Sequence, residues 1–283
     1  ALMNPSRWLT GLLLSPALMI LGLFTFWPMI YLVGLSFTQG SLTRLGWHWV
    51  GLENYARLFA DPDFWQVVGN TVIFTSGTVI PAVILPLGLA VVLNQAIWGR
   101  SLWRLLYFLP SVISLVAAAL AFRWLLQTQG PLNQLFHTNI PWLSEPGTAM
   151  LALIAVSVWH QIGFNLVVLL AGLQTIPASQ YEAALLDGAN AWQRFWYITV
   201  PGLRPTLVFV VITTTLFTLR SFEPVYLLTG GGPLNRTNIL VYYVYDQAFN
   251  QFDLGYAAAA AVVLFTLVLG LLIWRVRYTE MEI

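Results

Sequence analysis

The chain has 283 residues, 58% hydrophobic and only 8% charged, against roughly 25% charged in soluble domains, so the sequence predicts an integral membrane protein. The formal net charge of +1 singles out no partner, nothing marks nucleic-acid binding, and the absence of cysteine removes disulfides and thiolate metal sites. All twelve basic residues are arginine, which excludes a lysine-bearing Walker A loop and Schiff-base chemistry, so any ATP used must be hydrolysed by another subunit.

An α-helix needs about 20 mostly apolar residues to cross the hydrocarbon core. Six stretches reach that length, at approximately 10–37, 67–96, 105–126, 149–173, 205–229 and 256–275. The expected fold is all-α: a polytopic bundle of six transmembrane helices, one domain over residues 1–283. The first stretch is longer than a signal-peptide core of about 7–15 residues and lacks a small-x-small cleavage site, so it reads as a retained anchor.

Arginine placement orients the spans. Arg7, Arg100, Arg104, Arg194, Arg204, Arg275 and Arg277 fall on one side. Arg44, Arg57 and Arg236 fall on the other, together with Glu53, Asp61, Asp63, Glu145, Asp246 and Asp253. The arginine-rich side is assigned to the cytoplasm, with both termini and the insert at 174–204. The loops at 38–66, 127–148 and 230–255 then face outward, carrying aromatic residues such as Trp47, Trp49, Trp65 and Trp142 that suit a membrane interface. Residues 238–250 read as a short helix on, or dipping into, that surface.

Within the spans, polar residues are the informative ones. The second carries Asn70, Thr71, Thr75 and Ser76, and Arg123 sits near the end of the third, where it can snorkel. The fourth carries Trp159, His160, Gln161 and Asn165, with Gln161 and Asn165 on one face at i, i+4. Aromatic rings beside amides suit a sugar, whose ring faces are apolar and whose edges are hydroxyls; interhelical hydrogen bonding explains the same residues without a solute. On the fifth span, Arg220 and Glu223 are three apart and would share a helix face, with Pro224 kinking the helix and Tyr226 following. They read either as a solute-pathway pair or as a mutually neutralising pair that locks packing. His48, His137 and His160 lack metal-ligand spacing, and no nucleophile–base constellation appears.

Between the fourth and fifth spans lies a polar insert, EAALLDGANAWQRFWYITVPGLRP, Glu182 to Pro205. Pro177 stops the preceding span, and Ser179 with Glu182 three residues later fits a capping box. Gly188 ends this first short helix, Asn190 and Gln193 cap a second, Pro201 is expected to end it, and Pro205 suits the first turn of the next span. Such a hairpin can rest on lipid, but lipid-lying helices usually carry a basic polar face. The first helix here has Glu182 and Asp187 and no arginine, which favours a protein partner.

This insert resembles the EAA loop of the permease subunits of ABC importers: Glu182-Ala183-Ala184, Asp187-Gly188-Ala189 and the ending Ile198-Thr199-Val200-Pro201 all match. Leu228-Thr229-Gly230-Gly231-Gly232-Pro233, with Thr237, resembles the GGP segment of the carbohydrate-uptake branch. Gly51-Leu52-Glu53-Asn54-Tyr55 and Gly130-Pro131-Leu132-Asn133 extend the likeness over nearly the whole chain. The resemblance implies a permease in a bacterial-type inner membrane, importing a carbohydrate, glycosylated polyol or glycerol phosphate by alternating access. Its partners would be a second permease subunit, two cytoplasmic ATPase subunits that bind ATP and magnesium, and an extracytoplasmic solute-binding protein. This chain itself would bind no cofactor and catalyse no reaction. The loop at 177–205 would be the coupling helix seated in the ATPase, with Glu182 contacting basic groups there and Asp187 and Gly188 setting the turn. The alternatives are a stand-alone secondary carrier, which would want inverted repeats not evident here, and a non-transporting membrane scaffold.

Overall fold

The computed structural model describes residues 7–41, 44–95 and 98–280. The side chains of Arg7, Arg44, Trp47, Arg275 and Arg277, and residue 96 at the expected end of the second span, lie outside the described residues. The chain divides into two compact units, residues 1–64 with 243–283, and residues 65–242.

The first unit opens with α1 (Arg7–Leu21), a π turn (Gly22–Phe26) and α2 (Trp27–Ser36), which run on as one apolar helix. A two-stranded antiparallel hairpin follows, β1 (Thr38–Ser41) and β2 (Arg44–Trp49), pairing Thr38 with Trp49 and Gln39 with His48. The sequence reading had no strand here. After α3 (Glu53–Ala60), the unit closes with α14 (Leu254–Glu280), which packs on α2, α3 and β1. Buried Ala257–Ala260 allow that approach, and a Cβ at Gly255 would collide with the carbonyl oxygen of Thr38. Asn54, 1% exposed, donates to the carbonyls of Ser36 and Thr38, so the Gly51–Tyr55 segment is a clamp on the end of α2. Asp61 accepts from both Tyr243 (3.1 Å) and Tyr256 (2.8 Å), and Arg57 pairs with Asp253 at 3.1 Å while lying over the Tyr256 ring.

The second unit is built around α8 (Pro146–Gln174), whose Leu166, Leu169, Leu170 and Leu173 form a core with Val83, Ala90 and Leu93 of α4 (Pro62–Leu93) and Val210 of α12 (Arg204–Leu219). α4, α8 and α14 are each long and apolar enough to cross a membrane, as is the helix Leu12–Ser36. The other two expected spans are not single helices. α5 (Arg100–Val112) and α6 (Leu115–Leu125) meet at 96°, because the backbone leaves the helical conformation at Ile113 and Ser114; Pro110 lies within α5 just before the bend. The fifth expected span also breaks. α12 ends at Leu219, Arg220 caps it, and the helix restarts at Glu223, finishing in a π turn (Val225–Thr229). The break therefore precedes Pro224, which sits in the restarted first turn, where its missing N–H costs nothing. The expected shared helix face of Arg220 and Glu223 does not exist.

The loop after α12 is held by α4: Asn70 Nδ2 donates to the carbonyls of Asn235 (2.6 Å) and Asn238 (3.0 Å), and Thr71 Oγ1 accepts from the Leu240 N–H. Asn133, in α7 (Pro131–Phe136), does the same for its own loop, donating to Thr128 and Ile140 and accepting from Thr138 and Trp142. Residues 240–250 are helical as expected, α13 (Leu240–Tyr245) followed by a π turn (Asp246–Asn250).

Candidate functional site

Both broken helices front one cavity of about 510 Å³ in the second unit. α5 lends Phe108 and Ser111, α8 lends Ser157, His160, Gln161, Phe164 and Asn165, α12 lends Phe217, and the break after α12 lends Arg220, Ser221 and Glu223. Irregular backbone at membrane depth is tolerated where it lines a cavity or finds local partners, and here it does both. The carbonyl of Ile113, left over by the α5–α6 bend, lies 3.1 Å from His160 Nε2. Ser111 Oγ enters the α8 ladder, donating to the His160 carbonyl (3.2 Å) and accepting from the Phe164 N–H (3.0 Å). Gly163 permits this: a Cβ there would lie 2.5 Å from the Tyr107 carbonyl oxygen and 2.8 Å from Phe108 Cα.

The polar wall divides into spent and unspent groups. Asn165 is 1% exposed, and its amide donates to the Ala82 carbonyl (2.6 Å) and Thr214 Oγ1 (3.0 Å). Ala82 needs that donor, because the residue four ahead is Pro86, which has no N–H to close the helical bond. One turn earlier, Gln161 Nε2 donates to Thr218 Oγ1 at 3.3 Å, but its buried Oε1 has no partner among the described residues. A further turn back, Ser157 is 3% exposed and its Oγ has none either. Buried polar atoms in native structures are seldom orphaned, so these two leave unspent hydrogen-bonding capacity at one cavity wall. Arg220 at the end of α12 and Glu223 at the start of the next helix each sit favourably in the helix dipoles. They form no ion pair with each other.

The cavity thus unites four of the six expected pathway residues, Gln161, Asn165, Arg220 and Glu223. Trp159 instead packs edge-on against Phe122 at 5.0 Å, and Tyr226 stacks on Phe222 at 5.2 Å; neither lines the cavity. Sequence reading missed Ser157, although it continues the Gln161–Asn165 stripe by one more i, i−4 step. It also missed Ser111 and the three phenylalanines, which only the helix breaks bring to the wall.

The insert folds as two helical pieces. α9 (Ala178–Leu186) starts one residue before the expected cap, with extended Pro177 at its N-cap, and makes no side-chain cap bond, so the Ser179–Glu182 capping box does not form. Its end is a full Schellman motif: Gly188 at φ +79°, with Gly188 N–H to Leu185 O (3.1 Å) and Ala189 N–H to Ala184 O (2.8 Å). Asn190 and Gln193 form both bonds of their capping box (2.8 and 2.9 Å) at the start of α10 (Ala191–Arg194). Helix continues through a π turn (Phe195–Thr199) and α11 (Val200–Gly202), so Pro201 does not end it. The π turn's longer bonds absorb the proline, and the chain instead bends by 70° before Arg204. Tyr181 OH lies 3.0 Å from Thr199 Oγ1 and ties the two pieces together. Glu182, Ala183, Asp187 and Gly188 are exposed and Ala184 and Ala189 half-buried. Leu186 at 91% exposure and Tyr197 at 79% project from the same hairpin.

The model of binding-protein-dependent transport system inner membrane components matches residues 82–278, more than half of the chain. The chain belongs to this family. It is therefore a transport permease, an inner-membrane component, and relatives agree over almost its full length. The sulfoquinovosyl glycerol transport system permease protein SmoG of Agrobacterium fabrum is 39% identical over 92% of this permease and 87% of its own length. The sn-glycerol-3-phosphate transport system permease protein UgpA of the same organism is 31% identical over 99% and 97%. In fold, the permease superposes with TM-score 0.84 on a chain of a bacterial ABC transporter involved in import of the acidic polysaccharide alginate, at 23% identity, covering 97% and 96%. The alginate transporter is also known in complex with an alginate-pentasaccharide-bound periplasmic protein.

Proposed function

We propose that this permease carries a carbohydrate or polyol-type solute through the cavity between α5, α8 and α12, by alternating access driven by ATP hydrolysis on separate subunits. The observation that carries the reading is the pair of unpartnered buried oxygens, Ser157 Oγ and Gln161 Oε1, among the rings of Phe108, Phe164 and Phe217. Hydroxyls of a solute satisfy such oxygens, and rings cover its apolar faces. The transported molecules named for SmoG and UgpA, both polyol derivatives, support the class. Arg220 and Glu223 stand at the same wall with hydrogen-bonding capacity to spare.

The hairpin at 177–205 is the coupling element in this reading, on the cytoplasmic side where arginine placement puts it. Exposed Leu186, Trp192 and Tyr197 beside Glu182 and Asp187 fit burial in a partner ATPase better than contact with water. The Schellman turn at Gly188 and the Asn190–Gln193 box make it stiff enough to transmit movement. A second permease subunit, two ATPases and an extracytoplasmic binding protein complete the assembly. The test is uptake by proteoliposomes containing the full complex and its binding protein. ATPase activity should rise with a carbohydrate or polyol derivative, and Glu182→Lys should lower uptake at least about tenfold with the subunit still inserted. Purification without an ATPase subunit, or wild-type uptake by Glu182→Lys, contradicts the reading.

A further inference from the structure

A second cavity, of about 490 Å³, lies behind the hairpin in the same unit, remote in sequence from the solute wall. The C-terminal end of α4 supplies Asn94 and Gln95, and the hairpin supplies Tyr181, Arg194, Phe195 and Thr199. Its volume falls in the range of small-molecule sites, about 300–1,000 Å³. Arg194 is half-buried, and its Nε is fully enclosed with no hydrogen-bond partner among the described residues. The side-chain amides of Asn94 and Gln95, both exposed, stand at the same cavity. A second guanidinium stands at the same helix end, where Arg104 Nη2 donates to the Leu93 carbonyl at 3.1 Å and its Nε is likewise enclosed and unpartnered.

We propose that this cavity binds a phosphate-bearing molecule, either a small organic phosphate or the phosphate of a lipid headgroup. Arg194 would grip the phosphate oxygens with its planar fork. With the guanidinium, the amides of Asn94 and Gln95 offer more donors than a carboxylate's two oxygens could use, while the Tyr181 and Thr199 hydroxyls are engaged with each other and the Arg194 carbonyl. Phe195, with Val91 and Leu173, gives the carbon part an apolar wall. The bound molecule would bridge both pieces of the hairpin to the end of α4, and so set how stiffly the hairpin is joined to the bundle. This site goes beyond the solute reading and does not depend on which solute is carried.

The rival explanation is that Arg194 serves only as a counter-charge to the C-terminal carbonyls of α4 and α8. The test is thermal unfolding of the delipidated complex, with its partner subunits, in a phosphate-free maltoside detergent at constant ionic strength. Glycerol phosphate is titrated in one arm and detergent-solubilised phosphatidylglycerol in the other, with chloride as the reference anion. The expected result is saturable stabilisation in one arm, which identifies the source, weakened at least tenfold in half-saturation by Arg194→Gln and unaffected by Arg100→Gln, which lies outside the cavity. Asn94→Leu, which loses a donor and fills space, serves if Arg194→Gln does not assemble. No stabilisation of the wild type beyond chloride overturns the proposal, as does an unchanged response in the cavity variants.

Discussion

Asn165 and the Ser157–Gln161 pair occupy successive turns of one helix face, yet they are in opposite chemical states. The Asn165 amide is saturated by Ala82 and Thr214, while Ser157 Oγ and Gln161 Oε1 are enclosed and idle. The saturated turn faces a proline-induced gap in α4; the idle turns face the two helix breaks. The lesson is that a polar residue within a span is not by itself a pathway residue. What separates the two roles is whether the neighbouring backbone has already used its hydrogen-bonding capacity.

This contrast can be broken by substitution. Asn165→Leu should have the largest effect on stability, about 1–3 kcal/mol, because it orphans the Ala82 carbonyl; denaturant or thermal unfolding of the solubilised complex reads it. Gly163→Ala should be comparable, about 1–3 kcal/mol, because its Cβ meets backbone of α5 that cannot yield without moving the helix; the same assay applies, with reduced assembly as a second readout. Asn190→Ala should cost about 1 kcal/mol locally, removing a capping box, and show as faster amide exchange over residues 191–194 with the bundle unaffected.

The smallest and most separable effect concerns Tyr243. Burial first, then its hydrogen bond with Tyr256 and the charge of Asp61, push its phenol well above the ordinary value. A raised value means that stability is fully present below the ordinary phenol value of about 10 and falls as pH rises beyond it. Tyr243→Phe should flatten that alkaline decline in a pH series of unfolding midpoints, while lowering the neutral-pH plateau slightly by leaving Asp61 one donor short.

Much of this was legible from sequence alone. Four of the spans, the Gly188 turn, and the Asn190–Gln193 box follow from local rules, because apolar length, left-handed glycine and short-range capping need no tertiary information. The bend at Ile113–Ser114 was not legible, and the disturbance of the fifth span reads in the sequence as a kink at Pro224, whereas the helix breaks just before it, after Arg220. The 105–126 segment is as apolar as a continuous helix, and its bend becomes tolerable only because His160 lies opposite to meet the Ile113 carbonyl. The Ser179 cap failed for a local reason: Pro177 pre-sets an extended residue and starts α9 a step early. Asn54 and Asn133 sat in motif segments and Asn70 in the second span, but their carbonyl partners are far away or across loops, so their clamping role could not be seen in spacing.

If the idle oxygens of α8 are the solute's hydrogen-bonding seat, as proposed, removing both must slow transport without harming the fold. The direct measurement is solute uptake by proteoliposomes holding the complete importer with Ser157→Ala and Gln161→Leu together in this permease. Uptake should fall at least about tenfold, the scale of losing about 1.4 kcal/mol of solute interaction, with the unfolding midpoint unchanged or raised because buried orphans have been removed. Wild-type uptake by that variant would contradict it, as would a loss of uptake that merely tracks a loss of assembly.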